Sequence, residues 1–289
     1  MSSEENLRVY RGNCHCGAII YEARLPEITS YSECNCSICR KKATQGQLNI
    51  VKGSIDELAF YSFNNGRFVH HFCHNCGTGV FARSHYNPSA VTTAINVRAL
   101  QGVDAYSLDI KPFDGKALGP AYEPVAYTGA EPGDGAEGSK IYHGSCHCGA
   151  VTLAVKVKKP LETWDIAIDD ERIVECNCSV CSRGAYVWIY PPSEDTVIEG
   201  REHLAYYTFN TNVVRKAFCR HCGVHVCGER NPLTDAEIEA LDEGKKAFFE
   251  RIQTIQPITL RVLDDFDFKT KETKRLDGWN IMKPLYTNP

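Results

Sequence analysis

The stretch Gly12–Ala18, GNCHCGA, returns in the second half of the chain as Gly144–Ala150, GSCHCGA. Further blocks return in the same order: Glu33–Ser37 as Glu175–Ser179, Phe72–Gly77 as Phe218–Gly223, Arg98–Leu100 as Arg261–Leu263, Asp114-Gly115 as Asp277-Gly278, and Pro120-x-Tyr122 as Pro284-x-Tyr286. A shared order of blocks over this length indicates that a whole domain is duplicated. The spacing between copies grows along the chain, so insertions fall between the blocks, where loops tolerate them.

The repeat predicts two tandem domains, 7–126 and 140–289, joined by a Gly-, Pro- and acid-rich linker at 127–139. Short alternating segments such as Val151–Val157, and aromatic runs such as Leu58–Phe63 and Leu204–Phe209, predict that both domains are mainly β. The exception is a helical insertion at about 234–252 in the second domain, which begins with a capping-box pattern. We expect this helix to be a packed surface addition and not part of the site.

Composition narrows the functional classes. The chain has 289 residues and 43% hydrophobic content, enough for two domains with cores of their own. It has 32 basic and 36 acidic residues, which give each half of the chain a net charge of about −2. Neither half therefore has the excess of positive charge that binding to nucleic acid needs. No signal peptide or membrane span is recognisable. These features predict a cytoplasmic protein without nucleic-acid or membrane partners, and they leave its oligomeric state open.

Each repeat carries seven cysteines in tight C-x-C and C-x-x-C spacings. An odd number per repeat without a signal peptide favours metal ligation over disulfides. The fifteenth cysteine, Cys227, has no counterpart in the first half, and its apolar neighbours predict a small buried residue.

Four cysteines in each repeat form two distant pairs, and two pairs are what a closed structural zinc site requires. The complementary pairs are Cys14/Cys16 with Cys73/Cys76, and Cys146/Cys148 with Cys219/Cys222. We expect these eight cysteines to hold structural zinc. Their metal would then contribute directly to the stability of the fold.

The other three cysteines of each repeat lie in one loop: Cys34, Cys36 and Cys39, then Cys176, Cys178 and Cys181. Three ligands leave a coordination position open to water or substrate, as in catalytic zinc sites. The alternative is that a histidine closes the site, with His70, His71, His74, His221 and His225 as candidates. His15 and His147 lie between two ligands of one metal, so we expect them to have a hydrogen-bonding or surface role.

Three thiolates make zinc a weak Lewis acid and a poor activator of water. Such a soft, anionic site is better suited to bind a substrate thiol as its thiolate. We therefore expect thiol or thioether chemistry at the triads.

The ordered blocks G-x-C-x-C-G-A, E-C-N-C-S-x-C, F-C-x-x-C-G and D-G-x-x-x-x-P-x-Y resemble the glutathione-dependent formaldehyde-activating enzyme family, also called the centromere-protein-V-like domain. The resemblance covers about residues 8–123 and 140–287. It implies a β-rich, tent-like zinc fold in each domain, with four-cysteine structural zincs and three-cysteine catalytic zincs, up to four zincs per chain. Family members are carbon–sulfur lyases that join formaldehyde and glutathione, and single-domain members are the common form.

The leading hypothesis is therefore a zinc-dependent carbon–sulfur lyase or synthase that acts on a glutathione-type thiol adduct, either hydroxymethyl-like or a metabolite conjugate. The alternative is a non-catalytic interaction module that contains only structural zinc. The loops after the triads differ: Arg40–Lys42 would suit glutathione carboxylates, whereas Ser182–Trp188 offers an aromatic wall. The sequence identifies no general acid or base, and it leaves open whether one or both triads work.

Overall fold

The computed structural model describes residues 7–41, 49–63, 65–85, 92–117, 120–133, 137–169 and 172–289. The first repeat contains nine strands and one short helix within these ranges: β1 (Arg8–Asn13), β2 (Ile20–Leu25), β3 (Ser30–Cys34), α1 (Ser37–Lys41), β4 (Asn49–Lys52), β5 (Leu58–Phe63), β6 (Phe68–Cys73), β7 (Gly79–Ser84), β8 (Thr92–Ile95) and β9 (Asp109–Phe113). The predicted strand at Leu58–Phe63 is confirmed without a change of bounds.

The strands of the first repeat form three small sheets. β1, β2 and β4 form one antiparallel sheet, and β5 to β8 form another in sequence order. β3 and β9 pair in parallel, with Cys34 opposite Phe113. This parallel pair matters for function, because it places Phe113, and with it the Asp114-Gly115 block that follows, beside Cys34 of the triad.

The described residues of the second repeat contain ten strands and four α-helices: β10 (Lys140–Ser145), β11 (Thr152–Val157), β12 (Val174–Cys176), α2 (Ser179–Gly184), β13 (Val187–Ile189), β14 (Thr196–Glu199), β15 (Leu204–Thr208), β16 (Val214–Cys219), β17 (His225–Arg230), α3 (Asp235–Glu239), α4 (Glu243–Arg251), β18 (Ile258–Thr259), β19 (Lys274–Leu276) and α5 (Gly278–Ile281). The molecule is mainly β, as predicted.

Two sheets make up the second repeat. β10, β11 and β14 repeat the first antiparallel sheet. A seven-stranded sheet in the order β15-β16-β17-β18-β13-β12-β19 joins the other strands, because β13 pairs with both β18 and β12. β12 and β19 are again parallel, with Cys176 opposite Leu276. The segment of the first repeat that would correspond to β13 lies outside the described residues.

The helical insertion is two short helices and not one. Thr234 forms the predicted capping box with Glu237 at the start of α3. Asp242 then caps a separate helix, because its side chain accepts a hydrogen bond from the N–H of Lys245. The apolar spacing across 234–252 suggested a continuous helix, but Asp242 supplies a second start within it.

Each repeat has its own apolar core, and the two cores meet. Ile19, Tyr21 and Phe81 lie in the first core, and Leu153 and Ile189 lie in the second. Side chains cross between the cores, since Ile38 joins the second core and Tyr207 packs on the first. No helix within the described ranges is long and apolar enough to cross a membrane.

Candidate metal centres and substrate site

The eight cysteines predicted to be structural form two clusters. Within each cluster, all four sulfur atoms lie within 4.8 Å of one another: Cys14, Cys16, Cys73 and Cys76, then Cys146, Cys148, Cys219 and Cys222. The sulfur atoms of Cys14 and Cys16 are 3.5 Å apart, as are those of Cys146 and Cys148. Four sulfurs at ~2.3 Å around a tetrahedral zinc would be roughly 3.8 Å apart. The donor set and its spacing therefore fit zinc.

Tight turns present these thiols. Gly17 and Gly77 both have positive φ, of 73° and 71°, which a glycine adopts without strain. The turns also direct backbone donors at sulfur, since the N–H of Ile19 lies 3.3 Å from Sγ of Cys14 and the N–H of Val151 lies 3.3 Å from Sγ of Cys146. Such donors stabilise thiolate charge and orient the ligands.

The remaining cysteines form two three-membered clusters: Cys34, Cys36 and Cys39, then Cys176, Cys178 and Cys181. No histidine or carboxylate of the described residues joins either cluster. Three of the candidate histidines have other partners: His74 bonds the carbonyl of Glu57, His221 bonds His203, and His225 bonds the hydroxyl of Tyr186. The other two, His70 and His71, are buried on β6 and belong to neither cluster. The histidine-closure alternative therefore finds no support among the described residues.

The repeated Asp-Gly blocks hold the triad loops in place. A Cβ on Gly278 would lie 2.3 Å from Sγ of Cys176, and one on Gly115 would lie 2.2 Å from Sγ of Cys34. Only glycine fits at these two positions. Hydrogen bonds from neighbouring thiols and from the backbone N–H groups of Cys178 and Gly278 hold the pKa of Cys176 well below its usual range, against the effect of burial.

The asparagine of each E-C-N-C-S block completes this arrangement. Asn177 donates to Asp277 at 3.0 Å and accepts from the N–H of Trp279 at 2.9 Å. Asn35 makes the equivalent bonds with Asp114, at 2.8 Å, and with the N–H of Lys116, at 2.9 Å. The repeated Asn and Asp-Gly blocks thus have one function, which is to clamp the triad loop to the tail of its own repeat.

His15 and His147 connect each repeat to the triad loop of the other. Nε2 of His15 lies 2.9 Å from the hydroxyl of Ser179, and Nε2 of His147 lies 2.9 Å from the hydroxyl of Ser37. Both histidines are buried. Burial and the charge of Arg183 lower the pKa of His15 to about 3. The hydrogen-bonding role expected for the two histidines is observed, and it spans the two repeats.

The tail of each repeat also crosses to the other repeat. Tyr286 stacks on His15 at a centroid distance of 4.6 Å and donates to its carbonyl, and Tyr122 does the same to His147 at 4.3 Å. Arg183 follows the second triad and bonds the carbonyl of Asn13 in the first repeat at 3.1 Å. The second triad loop is therefore positioned by both repeats.

The second triad faces a large cavity of about 830 Å³. Its described lining is mostly aromatic and aliphatic, and it includes Cys176, Cys178, Cys181, His15, Trp188, Tyr190, Tyr207, Phe209, Lys216, Phe248, Arg251, Ile252, Trp279 and Tyr286. The aromatic wall expected from Ser182–Trp188 is present, since Trp188 lines the cavity and Tyr186 stacks behind it at 4.3 Å. The indole N–H of Trp188 lies 3.4 Å from Sγ of Cys181.

The expectation that the helical insertion lies away from the site is wrong. Phe248 and Arg251 of α4, together with Ile252, line this cavity. Ile252 is 4% exposed, and its neighbour Phe249 is 5% exposed, which anchors the helix against the second repeat. The sequence offered a helical period but no indication of the surface against which it packs.

A basic cleft adjoins the cavity. It has a volume of about 360 Å³, and its lining includes Lys156, Lys158, Arg172 and Lys274. Asp195 is the acid in its described lining, and it pairs with Lys156 at 2.8 Å. Tyr190 and Leu276 line both spaces. The side chains of the basic loop predicted at Arg40–Lys42 lie outside the described residues. The cleft is formed by other residues, and the sequence did not indicate it.

A model of the family described as glutathione-dependent formaldehyde-activating enzyme matches residues 9–109 and 141–254. The two matched segments correspond to the two repeats and together cover most of the chain. The chain belongs to this family. The resemblance carried by the cysteine blocks is therefore confirmed, and the two matched segments agree with the two tandem copies that the internal repeat predicts.

Individual relatives are distant. A Halomonas elongata protein, provisionally named a glutathione-dependent formaldehyde-activating enzyme, is 29% identical over 83 residues, which cover 24% of this chain and 53% of the relative. The chain thus spans about half the length of this curated relative. A crystal structure of a Rhodobacter sphaeroides protein matches 46% of this chain and 99% of its own, with 24% identity and a TM-score of 0.32.

Proposed function

We propose that the chain is a zinc-dependent carbon–sulfur lyase or synthase acting on a glutathione-type thiol adduct, with Cys176, Cys178 and Cys181 as its reaction centre. The observation that carries this proposal is the three-cysteine cluster facing a cavity large enough for a substrate. The family is named for an enzyme of glutathione-dependent chemistry, which agrees with a thiol substrate.

The two four-cysteine clusters would hold structural zinc, and the two triads would hold zinc with a free position. Zinc at the second triad would supply the positive charge that stabilises a substrate sulfur as thiolate. The chain's own residues would fix the geometry: Gly278 and Asn177 clamp the loop, and Ser179 and Arg183 tie it to the first repeat. Because these contacts fix the triad loop, the site would need little reorganisation during the reaction.

The proton is assigned to Tyr190. This residue is 45% exposed and lines the cavity together with the three cysteines of the triad. A tyrosine phenol has a pKa of about 10 and is therefore protonated at neutral pH. In the direction of synthesis, the thiol releases its proton to solvent, the sulfur electron pair forms the carbon–sulfur bond to an aldehyde carbon, and the carbonyl oxygen takes the proton of Tyr190. The phenolate then regains a proton from solvent, so the net change moves one proton from the thiol to the aldehyde oxygen. Cleavage is the reverse: the hydroxyl proton returns to the phenolate as the bond electrons return to sulfur.

The basic cleft would bind the carboxylates of the glutathione-type thiol. Its described lining contains four cations and one acid, which is an excess of three positive charges. Because Tyr190 and Leu276 border both spaces, a tripeptide could lie in the cleft while its sulfur reaches the triad. In this arrangement, the peptide that carries the thiol occupies the basic cleft, and the carbon-bearing partner occupies the cavity.

Cobalt substitution tests the open position. Glutathione added to the cobalt-loaded protein is expected to shift the d–d bands and to add thiolate-to-cobalt charge-transfer intensity. The matched control is the tripeptide γ-Glu-Ser-Gly, which has the same carboxylates and a hydroxyl in place of the thiol, and it should leave the spectrum unchanged. A spectrum indifferent to both would favour the alternative, a non-catalytic module with structural metal only.

A further inference from the structure

The cavity at the second triad is far larger than a one-carbon partner requires. A hydroxymethyl group has roughly the volume of one or two water molecules, at ~30 Å³ each. The cavity has about 830 Å³, within the range of pockets that enclose drug-sized ligands. Even with the thiol of a tripeptide at its end, most of this space would be left for the group attached to sulfur.

Much of its wall comes from residues that the first repeat lacks. The connection from β17 to β18 spans residues 231–257 and contributes Phe248, Arg251 and Ile252, whereas the equivalent connection from β7 to β8 is only residues 85–91. Trp279 follows the clamped Asp-Gly block at the position that Lys116 has in the first repeat. The second repeat therefore has additional apolar surface at its triad.

The charge of this cavity is as distinctive as its size. Lys216 is half-buried, and its ammonium lies 4.2 Å from the ring centroid of Trp188. Apart from the three triad cysteines at its end, the charged residues of the described lining are Lys216 and Arg251, and that lining contains no Asp or Glu. The acid on the neighbouring strand, Glu229, is already paired with Arg215 at 2.8 Å. The equivalent residue of the first repeat is His70. It lies opposite Tyr61 on the neighbouring strand, as Lys216 lies opposite Tyr207.

A lysine among aromatic faces attracts both an aromatic ring and a negative charge. We infer that the second cavity takes thiol adducts whose carbon-bearing partner is a bulky aromatic group with a carboxylate, and that Lys216 sets this charge preference. The inference rests on the proposed carbon–sulfur chemistry and specifies its substrate class. The reaction would be the addition of the thiol to an aromatic aldehyde, which needs no further reactant because the aldehyde oxygen gains the proton that the thiol loses.

Binding of stable thioethers tests the inference without turnover. Calorimetry on the zinc-loaded protein would compare S-methylglutathione, S-benzylglutathione and S-(4-carboxybenzyl)glutathione. We expect the benzyl conjugate to bind at least tenfold more tightly than the methyl conjugate, and the carboxybenzyl conjugate at least tenfold more tightly again. Equal affinities for the three conjugates would overturn the assignment of the cavity.

Substitutions at Lys216 test the charge preference. Lys216→Met should lower the preference for carboxybenzyl over benzyl at least tenfold and leave the affinity for S-methylglutathione unchanged. Lys216→Arg should retain the preference, and Lys245→Met, on α4 but outside the described lining, should behave as the parent protein. A Lys216→Met protein that loses affinity equally for both conjugates would overturn the role of Lys216.

One further probe separates this inference from the proposed function. 4-Carboxybenzyl methyl sulfide carries the aromatic carboxylate without the peptide. If no glutathione conjugate binds but this sulfide binds and depends on Lys216, the glutathione part of the proposed function fails and the cavity assignment stands. If glutathione hemithioacetals are turned over but the conjugates show no preference, the cavity assignment fails and the proposed function stands.

Discussion

Cys178→Ser is expected to lower kcat/KM for a glutathione hemithioacetal by about 10³-fold. Cys178 is the middle member of the triad that faces the cavity, and its loss removes one of the three thiols that would hold the metal in the proposed mechanism. The charge stabilisation that a bound metal supplies is worth several kcal/mol, and each 1.36 kcal/mol is a factor of ten in rate. Exchange between free aldehyde and hemithioacetal, followed by NMR, measures the rate.

The first repeat provides the matched control. Cys36 occupies the equivalent position in the other triad, and Cys36→Ser should reduce the rate at most tenfold. Thermal melting of both variants verifies that the fold persists. Equal losses in the two variants would mean that both triads react, and full activity in Cys178→Ser would contradict the proposed mechanism.

Cys222→Ser is expected to unfold the second repeat at 25 °C. Structural zinc contributes about 10–16 kcal/mol to the folding of small zinc domains, whereas whole domains are stable by about 5–15 kcal/mol. Cys222 is fully buried in its cluster, so a serine there removes a thiolate ligand where water cannot easily replace it. Zinc content and near-ultraviolet circular dichroism measure the outcome, with the loss of one zinc and of the aromatic signal from Trp188.

Cys227→Ala is the control for Cys222→Ser. Cys227 is equally buried in the same repeat but belongs to none of the cysteine clusters. Its replacement should cost about 1 kcal/mol, the usual effect of a single substitution, and should leave zinc content unchanged. Similar melting temperatures for the two variants would show that the four-cysteine cluster does not hold the fold.

The repeated blocks predicted much of the fold because they contain the ligands and turns that determine it. Leu58–Phe63 and Thr152–Val157 form strands where their composition indicated. The seven-stranded sheet was not predictable, since its continuity depends on β13, a three-residue strand that joins partners distant in sequence. The apolar spacing continues across Asp242, so the spacing does not indicate the break between α3 and α4.

The candidate site was predictable in its ligands but not in its surroundings. Cys-x-Cys-x-x-Cys spacing alone brings three thiols together, because all three lie in one short loop. The pairing of His15 with Ser179 joins residues 164 positions apart, and no local pattern reports such a contact. The recurrence of both residues in each repeat was the available signal. Lys216 carried no signal, because a lysine in a strand is normally exposed.

The cross-repeat contacts explain why the two copies form one unit. His15 and Tyr286 assemble beside the second triad, and His147 and Tyr122 assemble beside the first. Each triad loop is thus supported by the other repeat. The cavity then distinguishes the two copies, because the described residues of the first repeat contain no counterpart of α4.

In the proposed mechanism, substrate sulfur binds metal at the second triad. Selenium-edge X-ray absorption of the zinc-loaded protein with γ-Glu-Sec-Gly, the selenol analogue of glutathione, tests it most directly. We predict one zinc neighbour of selenium, about 0.1 Å farther than the ~2.3 Å of a zinc–sulfur bond, in the parent protein and in Cys36→Ser but not in Cys178→Ser. No zinc neighbour in the parent protein, or one that persists in Cys178→Ser and disappears in Cys36→Ser, would contradict the claim.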